Sequence, residues 1–489
     1  MKYCFVSAVF FLVCFTSLLS QDKKIDIEIS KDVRVISSGI MGAKGAYMEI
    51  FNPKPVKKSL VVTFKVYDNS LVEKVTVVGG VRVGEQHQCS YADSLGVYSV
   101  YSKSLSGDFS FLWCANGEIK TIQGNLGPKA DCDQIIANGN MALLCASDKN
   151  SNDFILSADF SSATSSAIFL NKAVPKADVK IVNISFNKQF NQFYVVYTLI
   201  EKKSRKLCAM IFDKNLVPGK PIVISAATDD EKFLMTASFN PISQNEFIIC
   251  GTYQNEDGDY ANGMYIGKWT GSNFTTFKDY SFSSDFKHFN DYLSDKQKDK
   301  ADSKKEKAEK RGKEFNVDVL MITHSLLNFK GTYILVGEIY YPEYRTYTDS
   351  KGITTTVFVG YRYPQAIIVG FNESFDKIWD NSFAIGIGGI YFAREIVQVQ
   401  TIGNDGLLFF NSGTTIQSIK FNGEGTIDAV RKIKSYTVAD AGEKVTASYG
   451  ADVAYWYGSY FLATGIAREK TADGKQIMFY MKRILLSDK

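Results

Sequence analysis

Histidine, the side chain best suited to acid–base catalysis near neutral pH, occurs only three times, at His87, His288 and His324. A nucleophilic triad needs a Ser or Cys beside such a histidine, and no Gly-x-Ser-x-Gly elbow or comparable pattern marks one. Three histidines also leave little material for a His-based metal site. The sequence therefore identifies no catalytic residue and favours a non-enzymatic role.

Two loops superficially resemble ligand-binding motifs. Gly386-Ile387-Gly388-Gly389 lacks the final glycine spacing of a dinucleotide loop, and no helix with a downstream acidic residue is apparent, so a tight bend between strands is predicted. The segment from Asn255 to Gly263 is rich in the oxygen ligands that calcium favours, but it has no complete EF-hand spacing. Asn, Asp and Gly are also what a hairpin turn uses. We predict neither a cofactor nor a metal.

The cysteines raise the question of disulfides. Beyond an N-terminal apolar run, the chain contains Cys89, Cys114, Cys132, Cys145, Cys208 and Cys250. The last three lie in apolar, strand-like runs that predict buried free thiols. Cys89 with Cys114, or Cys114 with Cys132, are the predicted bridges if the compartment is oxidising. No Cys-x-x-Cys spacing occurs, which excludes a zinc ribbon or a thioredoxin-like redox site.

The first residues have the pattern of a secretory signal peptide. Lys2 precedes an apolar run from Cys4 to Leu19, and Ser20 is followed by a polar segment that starts at Gln21. This predicts a signal peptide over residues 1–20 and an exported chain from residue 21, with an N-terminal membrane anchor as the alternative. No other stretch approaches the roughly 20 apolar residues of a membrane span. We expect a periplasmic protein, or alternatively an extracellular or cell-surface one.

The rest of the chain repeats a short motif, in which Gly, Asn or Asp stands two residues before a large apolar residue that opens a strand. The motifs are Gly45-Ala46-Tyr47, Gly96-Val97-Tyr98, Gly139-Asn140-Met141, Asn191-Gln192-Phe193, Asn245-Glu246-Phe247, Gly331-Thr332-Tyr333, Asp405-Gly406-Leu407 and Gly458-Ser459-Tyr460. Most are separated by 43 to 54 residues, and two longer intervals of 86 and 74 residues indicate insertions.

A period of this length built from short strands is typical of β-propeller blades. One four-stranded blade cannot bury both of its faces, so blades stack in a ring and cover one another. We predict a single all-β propeller of seven or eight four-stranded blades over residues 21–489. Tandem β-sandwich domains are the alternative, but they would show a period twice as long and linkers between domains.

The long intervals hold two insertions. Within residues 290–315, the segment from Ser294 to Glu314 has nine Lys or Arg and six Asp or Glu, which predicts a solvated helical insertion that serves as a spacer or as a docking segment. Residues 340–364 predict a protruding hairpin rich in Tyr and Arg, which are residue types common in binding hot spots. The candidate partner-binding residues are Tyr340, Tyr341, Tyr344, Arg345, Tyr347, Tyr361, Arg362 and Tyr363. Ordinary β-propensity of tyrosine is the alternative explanation.

The net charge of +4 is small for 489 residues. The charged insertion contributes three of these positive charges and Lys2 another, so the remaining chain is neutral. This excludes a general nucleic-acid binder.

Several segments of the second half have a familiar pattern. They are Lys268-Trp269-Thr270-Gly271, Asp279-Tyr280-Ser281-Phe282, Phe286 to Leu293, Tyr340 to Arg345, Gly370-Phe371-Asn372 and Ile378-Trp379-Asp380-Asn381. In this pattern, residues 245–489 resemble a family of exported propeller-like proteins from the bacteria that use type 9 secretion. The resemblance implies a partner in the outer-membrane barrel of the type 9 translocon. It also implies retention in the periplasm, since no additional C-terminal β-domain follows the last strands.

These observations lead to three functional hypotheses. The first is a non-enzymatic periplasmic propeller that binds a protein partner, plugging or accompanying the type 9 translocon. The alternative is a secreted propeller that binds carbohydrate or cleaves glycosides. It would need facing carboxylates from different blades, and Trp113, Trp269, Trp379 and Trp456 are the residues that could stack on sugars. A structural surface protein is the third hypothesis.

Overall fold

The computed structural model describes residues 23–485, except for residues 31, 203, 226–231, 256–257, 313–315, 413–414, 423–433, 438, 440–444 and 472–473. The predicted signal peptide, residues 1–20, lies outside this part of the chain. Within it, nearly all regular structure is β-strand, in agreement with the runs of β-branched and aromatic residues.

The described strands are numbered β1 to β34 in chain order. The first seventeen are β1 (Lys24–Glu28), β2 (Arg34–Ile40), β3 (Ala46–Val56), β4 (Ser59–Tyr67), β5 (Glu73–Arg82), β6 (Gln86–Asp93), β7 (Gly96–Lys103), β8 (Asp108–Ala115), β9 (Glu118–Asn125), β10 (Asp131–Asn138), β11 (Met141–Ser147), β12 (Asp153–Asp159), β13 (Thr164–Ile168), β14 (Asp178–Asn187), β15 (Gln192–Glu201), β16 (Ser204–Phe212) and β17 (Ile222–Ile224). The others are β18 (Phe233–Leu234), β19 (Ser238–Pro241), β20 (Glu246–Gln254), β21 (Gly263–Thr270), β22 (Asn273–Ser281), β23 (Leu320–Thr323), β24 (Leu327–Phe329), β25 (Thr332–Thr348), β26 (Thr354–Phe371), β27 (Lys377–Ile390), β28 (Gln398–Ile402), β29 (Asp405–Ser412), β30 (Thr415–Phe421), β31 (Lys434–Thr437), β32 (Val445–Tyr457), β33 (Tyr460–Thr471) and β34 (Gly474–Leu485).

These strands form eight antiparallel sheets, which we call blades I to VIII. Blades I to IV are β2–β5, β6–β9, β10–β13 and β14–β17, and blades V to VII are β18–β22, β23–β27 and β28–β31. Blade VIII consists of β32, β33 and β34 together with β1. Blades V and VI have five strands because their first strand is split into two short pieces.

The eight blades form a closed ring. Each blade contacts the blades before and after it, and blade VIII contacts blade I through β32, β33 and β2. The first strands of neighbouring blades touch, as in β2 with β6, β6 with β10 and β28 with β32, so these strands lie nearest the axis. The fold is therefore an eight-bladed β-propeller, which confirms the predicted fold class and decides between seven and eight blades.

The apolar core is divided into eight clusters, each between two neighbouring blades. Strand β11 shows how one strand supplies two of them. Ala142 and Leu144 pack against blade II, whereas Leu143 and Cys145 pack against blade IV. Because successive side chains of a strand point to opposite faces, a blade covered on both faces needs a continuous apolar run and not an alternating one.

The eight strand-opening motifs coincide with the eight blades. Each motif lies where the first strand of a blade turns into the second strand. Gly45 shows why this position favours glycine: its φ is 151°, and an added Cβ would lie 1.9 Å from the carbonyl oxygen of Tyr67. Gly139 and Asn191 have φ angles of 61° and 51°, which are also left-handed. Five of the eight motifs have such a positive φ at their first residue, and all eight occupy the same position in their blade.

A second recurring turn closes the third strand of several blades. In blade I, Oδ1 of Asp68 accepts hydrogen bonds from the backbone N–H groups of Ser70 and Val72, at 2.8 and 2.9 Å. Asp213 and Asn372 form the same turn in blades IV and VI. The corresponding turn after Phe421 continues into residues 423–424, which lie outside the described residues.

This turn places a buried apolar side chain on a left-handed backbone. Leu71, Leu216 and Phe375 have φ angles of 53°, 60° and 64°, and each packs into a core between blades. Such φ values are unfavourable for bulky residues. The side-chain hydrogen bonds of the turn and the burial of the apolar group offset that cost.

The insertion between blades V and VI has a buried base and a solvated tip. Phe282, Phe286 and Phe289 belong to the core between these blades, and the N–H of His288 donates to Asp380 of β27 at 2.8 Å. The charged segment forms a helix, α1 (Asp295–Glu309), whose described side chains are mostly exposed. No helix among the described residues is both long and apolar enough to cross a membrane.

Ring closure depends on β1, which pairs antiparallel with β34 from Lys24 opposite Lys482 to Glu28 opposite Met478. Ile25 and Ile27 of β1 pack against the core between blades VIII and I. We predict that replacing both isoleucines with Asp lowers the free energy of unfolding by about 3 kcal/mol, because apolar burial at the closure is lost.

Urea denaturation of the full chain measures this loss. Glu28→Gln is the matched control, since Glu28 is exposed on the same strand and its replacement leaves the apolar contacts intact. Equal stability of the double variant and the control would show that β1 does not close the ring.

Candidate interaction site

The second and third strands of blade VI extend well beyond the blade. β25 and β26 remain paired as far as Thr348 opposite Thr354. Their neighbours end earlier, because β23 reaches only Tyr340 of β25 and β27 reaches only Tyr361 of β26. Residues 341–360 therefore project as a two-stranded ribbon, which we call the arm.

A chain of aromatic contacts connects the arm to the blade. The ring of Tyr344 lies 5.7 Å from Phe358, which lies 5.2 Å from Tyr361. Tyr340 lies 5.3 Å from Tyr361 and 5.7 Å from Tyr363. Tyr344 is 59% exposed and Tyr363 is fully buried. Aromatic pairs at such distances stabilise beyond the burial of their area, so this ladder holds the base of the arm to the core.

Residues 391–397, which we call the connector, link blade VI to blade VII beside the arm. The connector begins next to Ile390, which pairs with Tyr361 at the base of the arm. Its first two residues, Tyr391 and Phe392, are 65% and 77% exposed. Two large aromatic side chains are thus held in solvent near the base of the arm.

Buried polar groups of blade VI fix the connector. The hydroxyl of Tyr363 donates to the carbonyl oxygen of Arg394 and accepts from its N–H, both at 2.9 Å. The carboxylate of Glu338 accepts from the N–H groups of Ile396 and Val397, at 3.0 and 2.9 Å. Buried backbone donors need such partners, and here one fully buried carboxylate supplies them.

His324 completes this anchor. Its Nε2 lies 2.6 Å from Oε1 of Glu338, and its Nδ1 lies 3.7 Å from Oε2 of Glu395. Burial alone would lower the pKa of His324, but the hydrogen bond to Glu338 and the charges of Glu395 and Glu338 raise this pKa above its ordinary value. The protonated imidazole is therefore favoured between the two carboxylates.

Exposed apolar side chains cluster on the arm and the connector. We call this cluster the aromatic surface, and it consists of Tyr341, Tyr344, Tyr347, Ile353, Val357, Tyr391 and Phe392. Arg345 and Arg362 are exposed beside it. These side chains lie on both faces of the arm, because Tyr344 and Tyr347 are three residues apart in a regular stretch of β25. Exposed aromatic residues on a rigid support are typical of protein interaction sites.

The eight predicted partner-binding residues differ in their solvent exposure. The exposed ones are Tyr341, Tyr344, Arg345, Tyr347 and Arg362. Tyr340 and Tyr361 are half-buried in the aromatic ladder. Tyr363 is a correction, because its ring is buried and its hydroxyl holds the connector, so it cannot contact a partner.

Tyr391 and Phe392 were not among the residues predicted to bind a partner. Two adjacent aromatic residues after a strand have the same pattern as buried strand residues elsewhere in the chain. Their exposure results from the buried polar anchor of the connector, which no local pattern shows.

The predicted disulfides are not formed, and all six cysteines of the described chain are free. Cys89 of β6 lies opposite Val100 of β7, whereas Cys114 of β8 lies opposite Val97. Val97 and Val100 are three residues apart, so the two thiols lie on opposite faces of blade II. Cys114 packs between blades I and II, whereas Cys89 and Cys132 pack between blades II and III. Both predicted pairings were wrong because linear spacing does not show on which face a side chain lies.

One contact between a serine and a histidine resembles part of a catalytic site. Nε2 of His87 lies 2.7 Å from Oγ of Ser90, but Ser90 donates its proton to Oε2 of buried Glu49 at 2.9 Å. Nε2 of His87 must then carry the shared proton, so it cannot act as a base toward Ser90. Burial lowers the pKa of His87 to about 4. The arrangement satisfies the carboxylate of Glu49, to which Tyr101 also donates at 2.6 Å.

The groups considered for ligand binding have structural partners. In the loop from Asn255 to Gly263, Asp259 pairs with Arg205 at 3.0 Å, and the amide of Asn262 donates to Asp318 at 2.7 Å. Residues 256–257 of this loop lie outside the described residues. Among the residues that are described, no group of three or more His, Cys, Asp or Glu could hold a metal ion.

The tryptophans are engaged in packing. Trp269 and Trp456 are buried, and Trp113 and Trp379 are half-buried. Trp113 stacks on Tyr98 at 6.0 Å, and Nε1 of Trp456 donates to the carbonyl oxygen of Gly45 at 3.1 Å. No tryptophan in the described part of the chain presents an exposed ring for stacking on a sugar.

The anchor of the connector gives a stability prediction. Glu338→Gln replaces one carboxylate oxygen with an NH₂ group, which cannot accept hydrogen bonds from His324, Ile396 and Val397. We therefore expect the free energy of unfolding to fall by about 3–5 kcal/mol. Urea denaturation measures this. Glu373→Gln, an exposed glutamate of the same blade, is the control. A loss no larger than that of the control would contradict the anchoring role.

The protonation of His324 gives a pH prediction. Because its pKa is raised on folding, His324 stabilises the fold fully below its ordinary pKa of 6.5, and this contribution is lost as the pH rises through the raised value. We expect the wild-type protein to lose more stability than His324→Gln between about pH 6 and about pH 9. Denaturation at both pH values measures the difference, with His288→Gln as the control at an exposed histidine. Equal losses in wild type and His324→Gln would refute this prediction.

Comparison with protein-family models and with curated proteins gives no match. Among solved structures, a prolyl endopeptidase is 9% identical with a TM-score of 0.38, over 83% of this chain and 51% of that chain. The WD40 domain of Toxoplasma gondii coronin is 5% identical with a TM-score of 0.33, over 96% of this chain and 88% of that chain. An α-L-arabinofuranosidase of Fusarium graminearum is 12% identical with a TM-score of 0.33, over 73% and 93%. The chain thus spans about half the length of the prolyl endopeptidase it matches, and no activity of these proteins is transferred to it.

Proposed function

We propose that this propeller is a non-enzymatic scaffold that binds a protein partner through the aromatic surface of blade VI. The observation that carries the proposal is the group of exposed aromatic side chains on the arm and the connector, such as Tyr344, Tyr347 and Phe392. Large aromatic residues dominate the binding energy of protein interfaces because they bury much area and have few rotamers to fix.

The support of this surface favours binding without rearrangement. The aromatic ladder fixes the base of the arm, and the hydrogen bonds of Tyr363 and Glu338 fix the connector. Side chains on a preorganised support lose little further entropy on association. Exposed apolar side chains lower the solubility of a protein. A partner that covers them is therefore the physical reason for their presence.

The chemistry of the surface specifies the kind of partner. Its apolar groups are uncharged, and the exposed charged residues of the arm and the connector are mainly basic: Arg345, Lys351, Arg362 and Arg394, against Asp349 and Glu395. The best partner is therefore a protein patch that is apolar at its centre and carries a few acidic groups at its rim.

The proposal also covers where this protein is located in the cell and which protein is its partner. Export rests on the signal-like residues 1–20, and a periplasmic location with an outer-membrane barrel of the type 9 translocon as partner rests on the resemblance of residues 245–489. Plugging or accompanying such a barrel would fit a rigid ring with one projecting arm. The glycoside-cleaving alternative receives no support from the tryptophans, since all four are engaged in packing.

Replacement of Tyr391 and Phe392 by Ser tests the aromatic surface. We expect the amount of the principal protein that copurifies with the tagged chain from the native cell envelope to fall at least about tenfold, because two anchor side chains are removed. Quantitative mass spectrometry of the purified material measures the change. Thermal unfolding should be unchanged, because both side chains are exposed.

A matched control distinguishes binding at this site from non-specific binding by exposed apolar residues. Val78 and Leu105 are exposed apolar residues of blades I and II, and their replacement by Ser should leave copurification unchanged. If the control reduces copurification as much as the Tyr391 and Phe392 variant does, or if neither reduces it, the aromatic surface is not the binding site.

A further inference from the structure

The arm has two strand edges without a neighbouring strand among the described residues. β23 covers β25 only up to Tyr340, and β27 covers β26 only from Tyr361 onward. Alternate backbone N–H and C=O groups of such an edge point away from the sheet and can pair with another strand. A two-stranded ribbon is also marginally stable by itself, so a further strand would stabilise it.

The two edges differ in their capacity to accept a strand. The edge of β25 contains Pro342, which lacks an N–H group, and the charged Arg345, whereas the extra residues of the two register shifts belong to β26 and lie outside residues 354–358. Proline and charge are features by which proteins block edge pairing. The β25 edge is therefore protected.

The edge of β26 has none of these features over residues 354–358. The sequence there is Thr354-Thr355-Thr356-Val357-Phe358, and its pairing with β25 is regular throughout. β-branched and aromatic residues favour strands, and no charge or proline opposes pairing. This exposed segment is a competent edge.

The segment is complementary to itself. A two-fold axis at Thr356 would place Thr356 opposite its own copy, Thr354 opposite Phe358, and Thr355 opposite Val357. Residues two apart share a face, so each of these pairs lies on one face of the combined sheet. No like charges meet, and the exposed side chain of Val357 would be covered by Thr355 of the other copy.

We propose that two copies of this chain associate through their arms, with residues 354–358 of β26 pairing antiparallel about a two-fold axis to form a four-stranded sheet. The pairing covers Val357 of the aromatic surface but requires neither Tyr391 nor Phe392, so this proposal and the proposed function are tested by different variants. A two-fold contact uses the same patch on both copies and therefore closes at a dimer.

Replacing Thr356, which lies on the proposed two-fold axis, with a charged residue tests the proposal in the full-length chain. Thr356→Lys puts two like charges directly opposite each other, and Thr356→Glu does the same with negative charge. Sedimentation velocity should show a concentration-dependent dimer for the wild type and at least an about tenfold weaker dimer for each variant alone. An equimolar mixture of the two variants should restore the dimer, because opposite charges then meet at the axis.

A control on the neighbouring strand makes the test specific. Thr346 lies opposite Thr356 within one arm, and their hydroxyls are 3.1 Å apart. Thr346→Lys adds the same charge to the same face of the arm but at three strand spacings from its symmetry copy, so it should leave the dimer intact.

Cross-linking gives a second measurement that does not depend on affinity. Thr356→Cys should form a disulfide between two copies when a disulfide such as oxidised glutathione is supplied, because directly opposed Cβ atoms lie within bridging distance. Thr346→Cys should not form one. A monomeric wild type, a dimer unaffected by Thr356→Lys, or a dimer abolished by the Tyr391 and Phe392 variant would each overturn the proposal.

Discussion

The constraint on which this structure depends is that both faces of every blade are apolar. A strand such as β11 sends Leu144 to one core and Leu143 to another, so a blade without neighbours on both sides would expose a large apolar area. Only a closed ring gives every blade two neighbours. The pairing of β1 with β34 completes the last sheet with the first strand of the chain, and the ring is thereby closed by hydrogen bonds as well as by packing.

Closure also explains how blade VI can carry a projecting arm and an exposed connector. Its own core residues are covered by blades V and VII, so extension of β25 and β26 does not reduce that burial. Buried Glu338 binds the backbone of Ile396 and Val397 in the connector leading to blade VII, and buried Tyr363 binds the backbone of Arg394 in the same connector. The exposed aromatic residues of the connector are therefore held in place by side chains that are buried in the interior of the ring.

Much of the fold could be predicted from local sequence. The strand-opening motifs predicted the blades because Gly and Asn are favoured in the tight turn between the first two strands of a blade, and the eight motifs correspond to eight blades. The protruding hairpin was predicted from its run of tyrosines and threonines. Part of the candidate interaction site followed from this, namely Tyr341, Tyr344 and Tyr347, whereas the position of Tyr391 and Phe392 depends on an anchor formed by Glu338, more than fifty residues away in the chain.

The sequence by itself determined the class of fold, the repeating turn, the solvated character of helix α1 and the position of the arm, because each of these follows from interactions between residues close together in the chain. The tertiary structure alone decided the face on which each cysteine lies, the burial of Tyr363 and the exposure of Phe392. Those properties depend on strand register and on which blades become neighbours. Both are set when distant segments pair, and a local pattern carries no information about that pairing.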